Sequence, residues 1–117
     1  MSQNITNKEI GYKKEAIATE FLKNKGFLIL KSNYIFHHCE IDIIAKKGDC
    51  IHFIEVKFRK TNSFGYPESF VSLPQQNRIK SAAENYLYDN KGDVKIMFDI
   101  ISIEEDNKIT FFEDAFF

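Results

Sequence analysis

The segment CEIDIIAKKGDCIHFIEVKFRK, residues 39–60, decides how this chain is read. Its arms, Ile41–Ala45 and Ile51–Val56, are dense in Ile, Val and Phe around a turn containing Gly48, the pattern of two adjacent β-strands. Yet Asp42, Glu55 and Lys57 interrupt runs that otherwise read as buried. Side chains alternate faces along a strand, so Asp42 shares a side with Glu40 and Ile44, while Glu55 and Lys57 share one with Ile51 and Phe53. A turn with an even number of residues around Lys47–Gly48 puts both sets on one face, with Asp42 opposite or diagonal to Glu55. An odd turn or a bulge separates them.

With the even turn, the two carboxylates stand roughly 5 to 8 Å apart in a half-buried place. Their repulsion is then on the order of 2 to 4 kcal/mol at an effective dielectric near 20, which disfavours the bare pair. A divalent cation removes the conflict. Mg²⁺, or Mn²⁺ in its place, takes hard oxygen ligands from one or two carboxylates and fills the rest of its shell with water and phosphate oxygens. Lys57, two residues past Glu55 on the same face, can stabilise charge that develops on a phosphate. The tripeptide alone says little, since acid–any residue–Lys also occurs at Asp89, Asp93 and Asp106. Its apolar strand context and the acid in the preceding strand set EVK apart. The competing reading is an edge strand with a solvated charged face.

Working outward, Thr6 and Glu9 have the form of a capping box. A helix from there to Gly26 carries Ile10, Ile17, Ala18, Phe21 and Leu22 at helical spacing. Glu15 lies at the margin of that buried side, as either a boundary residue or an added metal ligand. Phe27–Phe36 is strand-like and precedes the hairpin, and Phe64–Leu73, with Gly65 and Pro67, reads as a loop. Pro74 opens a second helix with Ile79, Ala82, Ala83, Tyr86 and Leu87 on one side, ended by residues 90–93. Val94–Ile103 is a strongly apolar strand and Lys108–Phe112 an edge strand after the turn EEDN. Helix, three strands, helix, two strands predicts an α/β domain, a mixed sheet of about five strands covered by helices.

The 117 residues, 44% of them hydrophobic, fit one domain over 1–117. No apolar run reaches the length of a membrane span, and no apolar segment follows a basic start, so the expectation is a protein of the cytoplasm with no membrane partner. Cys39 and Cys50 lack the spacing of a stapled framework and fit a reducing compartment. The net charge of −1 hides an asymmetry: residues 1–92 carry 14 basic and 10 acidic side chains, residues 93–117 carry 2 and 7. A basic body with an acidic end can hold a phosphate backbone on one face, although evenly solvated charge explains the count as well.

Taken together, GYKKEAIATEFLKNKGF, EIDIIA, FIEVKFR, the Gly65–Pro67 loop, PQQNRI and MFDII resemble the PD-(D/E)XK nuclease superfamily, and more closely its small bacterial YraN-like family, distantly related to Holliday-junction resolvases. The resemblance covers most of the chain and implies a restriction endonuclease-like core. Asp42, Glu55 and Lys57 match the catalytic triplet and Glu15 the helix acid. Three positions depart from the family pattern: Cys39 and Lys14 stand where Gly is usual, and Gln76 where a Lys often follows the proline.

The resemblance implies a Mg²⁺- or Mn²⁺-dependent endonuclease. Asp42, Glu55, the Val56 carbonyl and Glu15 would hold the metal. The substrate would be nucleic acid, structured or branched DNA by analogy with resolvases, in repair or recombination, leaving 5′-phosphate and 3′-hydroxyl ends. A homodimer would present two sites to two strands. The backbone would be gripped by Lys14, Arg59, Lys60, Gln76, Arg78 and Lys80, with Lys13 beside them and Tyr66 or Phe64 stacking on an unpaired base. Two other classes stay open: a non-catalytic nucleic-acid-binding module on the same fold, and a protein-interaction domain using the aromatic end FFEDAFF. A zinc site from His37, His38, Cys39, Cys50 and His52 is disfavoured, because the hairpin register sets Cys39 and Cys50 well apart along the ladder.

Overall fold

A computed structural model describes residues 7–59, 71–89 and 94–116, with backbone alone at 7, 8 and 10. Its elements are α1 (Asn7–Asn24), β1 (Leu28–Phe36), β2 (Cys39–Lys47), β3 (Cys50–Arg59), α2 (Leu73–Asp89), β4 (Lys95–Glu104) and β5 (Ile109–Phe112). They form one five-stranded sheet in the order β1-β2-β3-β4-β5, antiparallel except for the parallel pair β3–β4, which the crossover through α2 connects. The mixed α/β architecture matches the order predicted from sequence. Thr6, Lys60, Phe64, Gly65, Tyr66, Pro67 and the end of the second helix at 90–93 lie outside the described residues, as does the side chain of Ile10.

The turn that fixes the register has two residues. Lys47 pairs with Cys50, and Gly48 takes φ 61 at the first central position, as a type II′ hairpin requires. The ladder climbs from there to Ile43 opposite Ile54. Helix α1 ends in a Schellman motif at Gly26 (φ 91): the Gly26 N–H bonds the Lys23 carbonyl and the Phe27 N–H the Leu22 carbonyl, both at 3.0 Å. Ser72 caps α2, its Oγ accepting the Gln75 N–H at 3.3 Å.

Each helix covers one face of the sheet. Ala18 and Leu22 of α1 pack on Ile43, Ala45, Ile54, Ile101 and Ile103, whereas Ile79, Ala82, Ala83 and Tyr86 of α2 pack on Ile44, Ile51, Phe53, Phe98 and Ile100. Ile41 and Ile44 both belong to the α2 side although they are three residues apart. Strict alternation therefore fails between them. On the neighbouring strand the register shifts further along, between Ile29 and Lys31, and Asn33, flanked by the pairs Ser32–Ile43 and Tyr34–Ile41, takes φ 54. Asn tolerates this left-handed conformation better than most residues.

Among the described residues, a histidine and an aspartate meet in the interior of the sheet. His52 Nδ1 meets Asp99 Oδ2 at 2.5 Å, and Asp99 Oδ1 accepts the Asp114 N–H at 2.8 Å. Burial pushes the Asp99 pKa up, while the Asp114 N–H and His52 pull it back. The Ala115 N–H bonds the Phe98 carbonyl and Phe116 packs against Phe98, so the C-terminal segment closes over the chain's own core.

Candidate metal and phosphate site

The carboxylates gather where β2 and β3 stop pairing. The ladder ends at Ile43–Ile54, one residue short of Asp42 on β2 and of Glu55 on β3. There Asp42 Oδ2 accepts the Val56 N–H at 2.8 Å, so a side chain of β2 occupies a β3 backbone donor. The Asp42 and Glu55 side chains also hydrogen-bond to each other. The even-turn expectation is therefore met, and both acids point into the same space.

Three elements complete the cluster. Glu15 from α1, Glu40 and Asp42 bring carboxylate oxygens within 4.8 Å of one another, and Asn33 hydrogen-bonds Glu15 from the irregular position in β1. From α2, Gln75 Nε2 donates to Glu55 Oε1 at 3.2 Å, and Gln75 Oε1 accepts from Lys57 Nζ at 3.2 Å. Lys57 Nζ itself lies 3.8 Å from Glu55 Oε1. A cavity of about 160 Å³ opens over this group, lined by His38, Glu40, Asp42, Glu55, Gln75, Arg78 and Ile79.

The electrostatics follow from crowding like charges in a half-buried place. Desolvation, the Asp42 charge and the Asp42 hydrogen bond together lift the Glu55 pKa to about 9, against an opposing pull from Lys57. Desolvation also raises Asp42, though the Val56 N–H, the Glu55 hydrogen bond and Lys57 work to lower it. Both carboxyls are raised, Glu55 further than Asp42, so the pair keeps a proton between them at neutral pH. Burial and the charge of Asp42 raise Glu40 as well. In Glu15, burial raises the pKa, the Asn33 hydrogen bond lowers it, and Asp42 and Glu40 raise it further. Four carboxyls whose pKa values are all raised by burial and by one another make a hard-oxygen donor set that suits Mg²⁺ or Mn²⁺. Among the described residues, this carboxylate group is the one His, Cys, Asp and Glu set with metal-binding spacing, and Cys39 and Cys50 stand at opposite ends of β2 and β3.

The structure brings together Asp42, Glu55, Lys57 and Glu15, and it groups Glu40 with Glu15 and Asp42 more tightly than Glu55. Val56 packs its side chain toward α1 while its N–H binds Asp42. Of the expected backbone-gripping residues, Arg78 lines the cavity, Arg59 ends β3, and Lys80 sits one position beyond Ile79 on the exposed side of α2. Lys14 is engaged elsewhere: its Nζ reaches Asn107 Oδ1 at 2.7 Å and lies 4.7 Å from the centre of the Phe58 ring. Gln76 donates to the Val71 carbonyl at 3.0 Å, within the start of α2. Lys13 is exposed on α1, and Lys60 lies outside the described residues.

Sequence reasoning missed Gln75 and Asn33. Both are neutral amides without a charge signal, and tertiary packing alone carries them to the acids.

The model of the family described as "Uncharacterised protein family UPF0102" matches residues 14–103. Similar relatives include a UPF0102 protein of Dictyoglomus turgidum, 48% identical over 100 residues spanning 85% of each chain. Another, from Christiangramia forsetii, is 40% identical over 112 residues and spans 93% of this chain and 94% of its own. A third, from Clostridium perfringens, is 41% identical over 116 residues, spanning 94% and 95%.

Proposed function

The chain belongs to the UPF0102 family, and we propose that it is a divalent-metal-dependent nuclease that hydrolyses phosphodiester bonds in nucleic acid, structured or branched DNA foremost. The observation that carries this reading is the convergence of Glu15, Glu40, Asp42 and Glu55 from three elements, with the Lys57 ammonium 3.8 Å from Glu55.

Asp42, Glu15 and Glu40 would hold Mg²⁺ or Mn²⁺, joined by Glu55 once it gives up its proton and by the Val56 carbonyl. When bound, such an ion neutralises the carboxylates, polarises a phosphate oxygen and lowers the pKa of water. This chain's own residues supply the remainder. Gln75 fixes Glu55 and Lys57 relative to each other through one amide. Lys57 is thereby held beside Glu55, from where its charge would oppose the negative charge that grows on the phosphoryl group during in-line attack. Arg78, at the wall of the same cavity, is positioned to take a neighbouring phosphate, with Arg59, Lys60 and Lys80 further along the backbone. Two copies of the chain would serve two strands of a junction. Among the described residues, no helix is long and apolar enough to cross a membrane.

The test is cleavage of flap, four-way-junction and single-stranded DNA with Mg²⁺ or Mn²⁺ by the native chain, Asp42→Asn and Lys57→Ala. Cutting by the native protein that both variants lose while remaining folded supports hydrolysis. DNA binding with no metal-dependent cutting of any substrate would leave a binding module in its place.

A further inference from the structure

A second cavity, of about 350 Å³, opens beside the carboxylates between α1 and β1, lined by Gly11, Tyr12, Glu15, Asn33, Ile35 and Glu40. Its volume lies at the lower end of the roughly 300 to 1,000 Å³ typical of small-ligand sites. Glu15 and Glu40 are shared with the acid cluster, so whatever occupies this cavity abuts whatever the acids hold. The wall away from the acids is apolar and exposed: Tyr12 is 58% and Ile35 65% accessible.

Gly11 supplies an independent observation. Glycine inside a helix is unfavourable relative to alanine, because it gives up more backbone freedom on folding. A Cβ built at Gly11 would meet no protein atom within 4 Å, so crowding within the chain does not require the glycine. Its effect is to leave the cavity floor open to a ligand.

We infer that this cavity receives an unpaired nucleobase of the strand whose phosphate lies at the acids, an assignment that rests on the phosphodiester reading above. The cavity lining offers a phosphate no cationic side chain, and Glu15 and Glu40 present acceptor oxygens to it. A neutral base has N–H groups for those carboxylates and a flat face for Tyr12. A base stacked in duplex has both faces covered and cannot enter without leaving the stack. The favoured substrates are therefore strands with an unpaired nucleotide beside the phosphate to be cut, such as flaps, junction arms and single strands.

The test measures binding by fluorescence anisotropy in calcium buffer, with a labelled single-stranded oligodeoxynucleotide and a blunt duplex of the same sequence. Gly11→Leu and Tyr12→Ala each weaken single-strand binding by roughly 5- to 100-fold and duplex binding by no more than about twofold, while Tyr12→Phe stays near native. Gly11→Leu also melts no lower than the native chain, which separates a filled cavity from a damaged helix. Unchanged single-strand affinity in both variants overturns the assignment, as do equal losses on duplex or a native chain that binds no strand. A matched RNA strand and a free mononucleotide complete the set, and a mononucleotide held as tightly as the strand overturns strand recognition. If the native protein cuts DNA with Mg²⁺ while both variants bind normally, the pocket is discarded and the nuclease reading stands. If both variants lose strand binding while no substrate is ever cut, the pocket stands and the nuclease reading falls.

Discussion

The Val56 N–H bonds Asp42 Oδ2 at 2.8 Å, at the level where β2 and β3 cease to pair through their backbones. One carboxylate thus does two things: it ends the ladder by taking over a backbone donor, and it faces Glu55 across the gap. Replacing Asp42 separates these roles. Asp42→Ala leaves the Val56 N–H without its acceptor, at an expected cost of about 1–3 kcal/mol in urea unfolding. Asp42→Asn keeps an acceptor oxygen, so its stability remains near native while Mn²⁺ binding by calorimetry is lost. Equal destabilisation by both variants would contradict this division.

Glu55 sets the response to pH. Its folded pKa of about 9 lies above the ordinary 4.5, so the folded protein keeps a proton that the unfolded chain releases. Without metal, the stabilising contribution is full below about pH 4.5 and declines as pH rises toward 9. Glu55→Gln removes this slope and makes the metal-free protein more stable at pH 8. Thermal melts across pH read this directly. Calorimetry of the native chain is expected to give the mirror image, Mn²⁺ affinity rising with pH by up to roughly tenfold per unit for each proton displaced.

On the proposed nuclease reading, Gln75 acts as a positioning residue. Gln75→Ala leaves the Ser72 cap intact, because the bond to Ser72 uses the Gln75 backbone N–H, but it frees Glu55 and Lys57 from each other. Metal affinity or cleavage rate falls roughly 10- to 100-fold. Loss of a donor to the Glu55 carboxylate also moves the pH–rate profile toward higher pH. A lower rate with an unmoved profile would argue against this role.

Asp99 carries structure away from the site. Asp99→Ala strands both the His52 ring and the Asp114 N–H in the interior and costs about 1–3 kcal/mol for each group in denaturant unfolding. Asp99→Asn, which retains an acceptor, costs less. Metal affinity measured well below the lowered melting temperature stays near native, which distinguishes this acid from Asp42.

Much of the fold was legible because each signal was local. Gly26 ends α1, Gly48 makes a two-residue turn, and the even turn sets Asp42 against Glu55. What escaped depends on distant pairing or broken alternation. Strand alternation puts Glu40 on the face of Asp42, but the approach of Glu15 to both comes from tertiary packing, with Asn33 hydrogen-bonded to Glu15. His52 has the chemistry of a zinc ligand, whereas its partner Asp99 is 47 residues on and arrives through a parallel pairing whose register no turn dictates. The clue was nonetheless present: Asp99 interrupts the apolar run VKIMFDIISI, just as Asp42 interrupts its own.

The parallel β3–β4 pairing also bears on how the chain assembles. A two-residue hairpin closes in microseconds, whereas β4 joins only after the whole crossover through α2 has been threaded. In the nascent hairpin the facing acids are still hydrated and tolerate one another. Docking of α2, which brings Gln75 and Ile79 over Glu55, is the event that strips their water. The electrostatic cost is therefore incurred late in folding, after the backbone topology of β2 and β3 is set.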